Sequence, residues 1–165
     1  MRCLIIYSTK YGATQAYAEM IANQANCMLE SRDVTEVTGK TLQDVDTIVL
    51  GSPIYIGSIT KNMQKFCEKY EDVLLTKRLY LFINGLRSGE ELDEELAKAY
   101  TEKLRKHATG QVAFGGKVSV SKLKFVDKKI MQMVSKQDPR FETFDNSTNV
   151  SLLNEEELSR FAQMI

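Results

Sequence analysis

The chain has 165 residues, the usual size of one domain, so we predict a single domain over residues 1–165. Hydrophobic residues make up 43% and charged residues 27%, a balance that excludes a disordered chain. The 22 basic and 22 acidic residues give a net charge of zero, which argues against nucleic-acid binding.

Buried-strand and helix signals alternate along the chain. Apolar runs predict strands at Cys3 to Tyr7, Thr47 to Gly51 and Leu79 to Ile83. Two weaker signals predict a short strand at Val34 to Val37 and a strand region at Val112 to Val120 that Gly115 and Gly116 interrupt, which makes five strands. Helical spacing predicts helices at Ala13 to Leu29, around Met63 to Tyr70, and at Glu90 to His107, Phe125 to Val134 and Leu153 to Met164. This alternation predicts an α/β fold, a doubly wound five-stranded parallel sheet with helices on both faces.

Three of the predicted strands end in loops of small and polar residues. They are the first loop (Ser8 to Thr14), the second loop (Ser52 to Ser58) and the third loop (Asn84 to Gly89). Parallel sheets of this kind bind ligands at the carboxyl ends of their strands, so we expect the functional site there.

The first loop has the chemistry of an anion cradle. It combines the hydroxyls of Ser8, Thr9 and Thr14 with a flexible glycine, Gly12, and with the amides at the start of a predicted helix. A phosphate group is the ligand that this pattern favours. The alternative is a turn in which a Ser or Thr side chain caps the helix.

The sequence Tyr7-Ser8-Thr9-Lys10-Tyr11-Gly12-Ala13-Thr14 resembles the phosphate loop of the flavodoxin family, which binds FMN. Thr9, Gly12 and Thr14 match the small and hydroxyl positions of that loop, whereas Lys10 and Tyr11 depart from it. The resemblance implies a flavodoxin-like fold with FMN as cofactor. It places these residues around the phosphate: Ser8, Thr9, Lys10, Tyr11, Gly12, Ala13 and Thr14.

The second loop resembles the loop that holds the flavin ring in this family. The third loop corresponds, by position alone, to the loop that contacts the other side of the ring. The ring contacts implied are Ser52, Pro53, Ile54, Tyr55, Ile56 and Gly57, with Asn84, Gly85, Leu86 and Arg87 from the third loop. Tyr55 is the candidate to stack on the flavin, and Gly57 allows a peptide to flip. The alternative is that Tyr55 and Arg87 are ordinary surface residues.

The resemblance implies electron transfer or oxidoreduction by bound FMN, with a redox protein or a quinone-like small molecule as partner. The neutral charge favours an FMN-dependent oxidoreductase over an acidic electron carrier. Within the family, the chain resembles the branch that contains the quinone-dependent protoporphyrinogen oxidases of haem biosynthesis. The similar segments are Leu4 to Thr9, Gly51 to Gly57 and Phe125 to Met133, although Lys117 to Lys124 lacks that branch's aromatic residues. Such an oxidase and a flavin-free binding module are the alternatives.

The segment Ser121 to Lys136 is basic on one side and apolar on the other. Its lysines are Lys122, Lys124, Lys128, Lys129 and Lys136. This pattern predicts weak contact with an anionic membrane surface or an acidic partner. The alternative is a helix packed on the domain with its lysines in solvent.

Other classes lack the residues that they require. The cysteines Cys3, Cys27 and Cys67 have no metal-binding spacing, and the single histidine, His107, leaves no Ser-His-Asp triad, so we predict no metal and no catalytic side chain. Receiver domains need acids where Ser8 and Thr9 follow the first strand. The unpaired cysteines, with no signal peptide or membrane span, predict a cytoplasmic protein.

Overall fold

The computed structural model describes residues 1–118, 127–129, 132–133 and 150–165. Its main sheet has five strands in the order β2-β1-β3-β4-β5, and every neighbouring pair is parallel. The strands are β1 (Cys3–Tyr7), β2 (Leu29–Asp33), β3 (Thr47–Pro53), β4 (Arg78–Gly85) and β5 (Gly110–Gly115). The predicted five-stranded parallel sheet is therefore confirmed.

The helices lie between the strands and at the end of the described chain. They are α1 (Ala13–Gln24), α2 (Gly39–Gln43), α3 (Lys61–Leu74), α4 (Glu90–Ala99), α5 (Glu102–His107) and α6 (Glu155–Gln163). Two short antiparallel strands, β6 (Lys117–Val118) and β7 (Val150–Ser151), form a separate ribbon. Residues 127–129 and 132–133 are helical.

The sheet is covered on both faces because successive strand residues point to opposite sides. Leu4, Ile6, Ile48 and Leu50 enter one core with Met63 and Phe66 of α3. Ile5, Val49, Phe82 and Phe114 enter the other core with Tyr17 of α1 and Phe161 of α6. The two layers of helices predicted from the alternating pattern are present.

The carboxyl ends of β1, β3 and β4 are neighbours at one edge of the sheet. Tyr7 at the end of β1 pairs with Gly51 of β3, and Pro53 at the end of β3 pairs with Asn84 of β4. The order of the strands reverses between β1 and β3, which is the switch point where such sheets bind ligands. The topology thus brings the first, second and third loops together.

The second strand begins earlier in the chain than the sequence predicts. β2 spans Leu29–Asp33, whereas Val34–Glu36, inside the predicted strand, forms a 3-10 turn. Asp33 starts this turn, because its carboxylate accepts a 2.8 Å hydrogen bond from the backbone of Thr35. The first helix correspondingly ends at Gln24, before the predicted boundary at Leu29.

The predicted helix from Glu90 to His107 is two helices. Tyr100 separates them, and its buried hydroxyl donates to the carbonyl oxygens of Phe82 at 2.9 Å and Leu50 at 3.3 Å. Thr101 then caps α5 by accepting from the amide of Leu104. A helical repeat does not reveal a tertiary contact of this kind.

None of the helices in the described part of the chain has the length and apolarity that crossing a membrane requires.

Candidate functional site

The first loop leads into helix α1, whose N-terminus has no side-chain cap. The amide of Gly12 donates to Thr9 Oγ1 at 2.9 Å, and Gly12 has a left-handed backbone with φ of 92°. Helix α1 starts at the next residue, without a side-chain cap and without an acidic residue in its first turn. Since the first amides of a helix lack partners inside the helix, this end offers N–H donors and positive potential to an anion.

Three hydroxyls join the first loop to the second. Thr60 Oγ1 donates to Ser8 Oγ at 2.7 Å, and Ser8 Oγ donates to Ser52 Oγ at 3.0 Å. Ser52 Oγ in turn accepts from the amide of Thr60 at 3.1 Å and donates to the carbonyl of Pro53 at 3.1 Å. Ser8 and Ser52 are buried, so these hydroxyls hold the loops together. Thr60 is absent from the predicted set, although its place before a helical repeat marks it as an N-cap.

The third loop is joined to both of the others through Asn84. Buried Thr14 donates from its hydroxyl to Asn84 Oδ1 at 2.7 Å, and the amide of Ile54 donates to the carbonyl of Asn84 at 2.8 Å. One residue at the end of β4 therefore sets the spacing between the anion cradle and the second loop.

The second loop contains a tight turn with unusual backbone angles. Tyr55 and Ser58 exchange backbone hydrogen bonds of 2.8 and 3.3 Å around Ile56 and Gly57. Both central residues have positive φ, 49° at Ile56 and 75° at Gly57, as in a type I′ turn. A β-branched residue rarely adopts this conformation, so Ile56, which is 74% exposed, places strain in the loop.

Replacing Ile56 tests this strain. Ile56→Asn is expected to raise the free energy of unfolding by about 0.5–1 kcal/mol, because asparagine tolerates the left-handed region. Ile56→Val is the control, since it keeps the branched Cβ and the strain. Urea unfolding of both variants is the measurement, and equal stability of the two would show that the turn is unstrained.

Tyr55 contacts two charged side chains from outside its own loop. The Tyr55 hydroxyl donates to Asp127 Oδ1. Lys10 Nζ lies 3.2 Å from the centroid of the Tyr55 ring and 3.2 Å from Asp127 Oδ2. Burial lowers the pKa of Lys10, but the bonds to Tyr55 and Asp127 outweigh it and raise the pKa, so the side chain is a cation at neutral pH. We call Lys10, Tyr55 and Asp127 the charged cluster.

Asp127 is a site residue that the sequence predictions did not include. It is only 5% exposed, and its sole sequence signal is that it is an acid inside a basic segment. Nothing in the neighbouring sequence indicates that Asp127 contacts Tyr55 of the second loop.

The predicted site residues of the third loop lie at the same edge of the sheet. Gly85 ends β4, and its carbonyl accepts from the amide of Gly116 at 2.6 Å. Arg87 is exposed and forms a 3.4 Å ion pair with Glu91. The carboxylate of Glu95 packs behind Gly85, where burial raises the pKa of Glu95. Within the described residues no group of His, Cys, Asp and Glu side chains is arranged to hold a metal ion.

The sheet is parallel, and its switch point carries a helix N-terminus and a loop with an aromatic residue, Tyr55. Proteins with this arrangement form a class that binds nucleotide-like cofactors. A family model described as "Flavodoxin domain" matches residues 4–143. The chain therefore belongs to the flavodoxin family, as the sequence resemblance indicated. The cofactor of this family is FMN, in agreement with the predicted cofactor.

Individual relatives are distant. A curated flavodoxin from Clostridium saccharobutylicum is 25% identical over 99 residues, which cover 56% of this chain and 62% of that protein. The match thus spans less than two thirds of the relative's length.

Solved structures share the fold at low identity. The two-electron reduced flavodoxin of Megasphaera elsdenii is 21% identical, with a TM-score of 0.54 over 67% of this chain and 84% of its own. The rubredoxin oxygen:oxidoreductase of Desulfovibrio gigas is 14% identical, with a TM-score of 0.54 over 82% of this chain and 34% of its own. The flavodoxin-like fold is thereby confirmed.

Proposed function

We propose that this chain binds FMN noncovalently at the edge formed by the three loops and uses it for oxidoreduction. The observation that carries the proposal is the direct hydrogen bonding of the three loops to one another around an uncapped helix N-terminus, with the ring of Tyr55 in contact with Lys10 of the first loop. Membership of the flavodoxin family supports the same cofactor.

The first loop fits the phosphate of FMN. A Cβ built at Gly12 would meet nothing within 4 Å, so the backbone at this turn is open to a ligand. The amides that begin α1 supply donors, and the positively charged Lys10 lies in the same loop. The hydroxyls of Ser8 and Thr14 already bond to Ser52 and Asn84, and we assign them the task of holding the loop in shape.

The second and third loops fit an aromatic ring. Tyr55 offers a ring of matching shape, Gly57 gives the turn freedom to move, and Asn84 fixes the backbone of Ile54. FMN supplies the redox chemistry when it is bound. The chain's own task is to position the ring and to hold the charges around it, with Asp127 orienting the hydroxyl of Tyr55.

An FMN-dependent oxidoreductase with a redox protein or a quinone as partner is the specific function that we propose, within a single domain over residues 1–165. The neutral net charge supports an enzyme over an acidic electron carrier. The matches to known proteins support the flavodoxin family and do not support the protoporphyrinogen oxidase branch, which is therefore not part of the proposal. A flavin-free module of the same fold would leave the anion cradle without a ligand.

The predicted membrane contact through Ser121 to Lys136 falls mostly outside the described residues, which include only 127–129 and 132–133 of that segment. Lys122, Lys124 and Lys136 lie outside them. Of the other two lysines, Lys128 is half-buried and Lys129 is exposed. The contact stays a prediction.

Anaerobic reduction of the FMN-loaded protein, followed by mixing with candidate acceptors, tests the function. We expect the reduced protein to be reoxidised by a quinone faster than by a cytochrome. A protein that reduces the cytochrome and not the quinone would be an electron carrier. Reoxidation by neither acceptor would overturn the proposed oxidoreduction even if FMN remains bound.

A further inference from the structure

Lys10 occupies the space beside the ring that is proposed to stack on the flavin. Its ammonium nitrogen lies 3.2 Å from the centroid of Tyr55. Stacked aromatic carbons approach to about 3.5 Å, so an ammonium group and a flavin ring exclude each other from this face of Tyr55. Ligand binding on this face therefore requires Lys10 to move.

We infer that Lys10 is a specificity-determining residue that selects a phosphate-bearing flavin over an uncharged one. The inference rests on the proposed FMN function. The ammonium group of Lys10 covers the face of the Tyr55 ring. A ligand that displaces it offers a new ion-pair partner only if the ligand brings a negative charge to the first loop.

Moving the Lys10 side chain away from Tyr55 costs free energy, because it breaks contacts within the charged cluster. The movement breaks a cation–π contact and takes the ammonium away from Asp127 Oδ2, 3.2 Å distant. Asp127 is 5% exposed, and a buried carboxylate that loses its cation is unfavourable. The bond from the Tyr55 hydroxyl compensates only in part.

The two flavins differ in how they offset this cost. Riboflavin has no phosphate, so it offers the displaced ammonium no anion. FMN brings its phosphate to the first loop, in which Lys10 itself lies, and the charge of Lys10 then favours binding wherever its side chain settles. Lys10 therefore lowers the affinity for riboflavin more than the affinity for FMN.

The test compares FMN and riboflavin binding in Lys10→Met, a variant of similar side-chain length without the charge. Quenching of flavin fluorescence gives both dissociation constants. Loss of the cation–π contact is expected to tighten riboflavin binding about fivefold. FMN gains the same relief but loses the attraction between its phosphate and Lys10, so its affinity does not rise and the preference for FMN falls about fivefold or more. The salt dependence of FMN binding is expected to decrease as well.

Matched variants separate this effect from general damage. Lys98→Met removes an exposed lysine of α4 that pairs with Glu94 at 3.9 Å, and it should leave the preference unchanged. Lys10→Arg keeps the cation and should retain the preference. Asp127→Asn removes the carboxylate that holds Lys10 and should tighten riboflavin binding even if the Lys10→Met protein does not fold.

The outcomes are distinct from those of the proposed function. If the wild-type protein binds neither flavin, the FMN function itself fails. If it binds FMN but Lys10→Met leaves the preference for FMN unaltered and Asp127→Asn leaves riboflavin binding unaltered, the flavin uses another face of Tyr55 and the specificity role of Lys10 is overturned.

Discussion

Tyr55→Ala is expected to weaken FMN binding by about tenfold to a hundredfold. Stacking of a planar base on an aromatic side chain contributes about 1–3 kcal/mol when measured by alanine substitution, and the flavin ring is a comparable partner. The substitution also removes the hydroxyl that donates to Asp127, while Asp127 keeps its ion pair with Lys10. Titration of the apoprotein with FMN, followed by flavin fluorescence, measures the effect.

Tyr55→Phe is the matched control for this experiment. It keeps the ring and loses only the hydroxyl bond to Asp127. We expect its affinity for FMN to stay within a few-fold of wild type, so that the large loss is specific to the alanine variant. Wild-type affinity in Tyr55→Ala would show that this ring does not stack on the flavin.

Gly51→Ala is expected to destabilise the protein by about 2–3 kcal/mol, or to prevent folding. A Cβ at this position would lie 2.0–2.7 Å from three ring atoms of Phe82, the residue that faces it on β4. The ring of Phe82 is fully buried and packs against Phe114 and Phe161, so it has no room to move aside. The free energy of unfolding in urea is the measurement.

Gly39→Ala provides the comparison in the same protein. A Cβ at Gly39 would lie 3.4 Å from the edge of the Tyr70 ring, and the residue begins helix α2. We expect a change between zero and about 1 kcal/mol of stabilisation, since alanine restricts the unfolded chain. Similar unfolding midpoints for the two variants would contradict the close packing of Phe82 on Gly51.

The sequence predicts most of the sheet because its inner strands are buried on both faces. Continuous apolar runs such as Cys3–Tyr7 are sufficient evidence for such strands. No apolar run marks the edge strand Leu29–Asp33, because its residues are partly exposed and mostly polar, so the sequence pattern favours Val34 to Val37 instead. The break between the helices at Tyr100 depends on carbonyl groups of two distant strands, so the local sequence pattern does not indicate it.

The site could be predicted to the level of its loops and not to the level of its contacts. Small and polar residues after the strands identify the three loops, since the carboxyl ends of parallel strands share one edge. The contact of Lys10 with Tyr55 and Asp127 joins residues from three separate segments. No periodicity or motif encodes such a contact, which arises from the packing of the whole chain.

The most direct test of FMN binding at the three loops is the change in backbone amide chemical shifts when FMN is added to the ¹⁵N-labelled protein. We predict the largest changes at residues 8–14, 52–57 and 84–87, with small changes at the opposite end of the sheet. That opposite end contains a groove of about 550 Å³ lined by Arg2, Thr38 and Lys40, among others. The absence of shift changes on adding FMN, or changes centred on that groove, would contradict binding at the three loops.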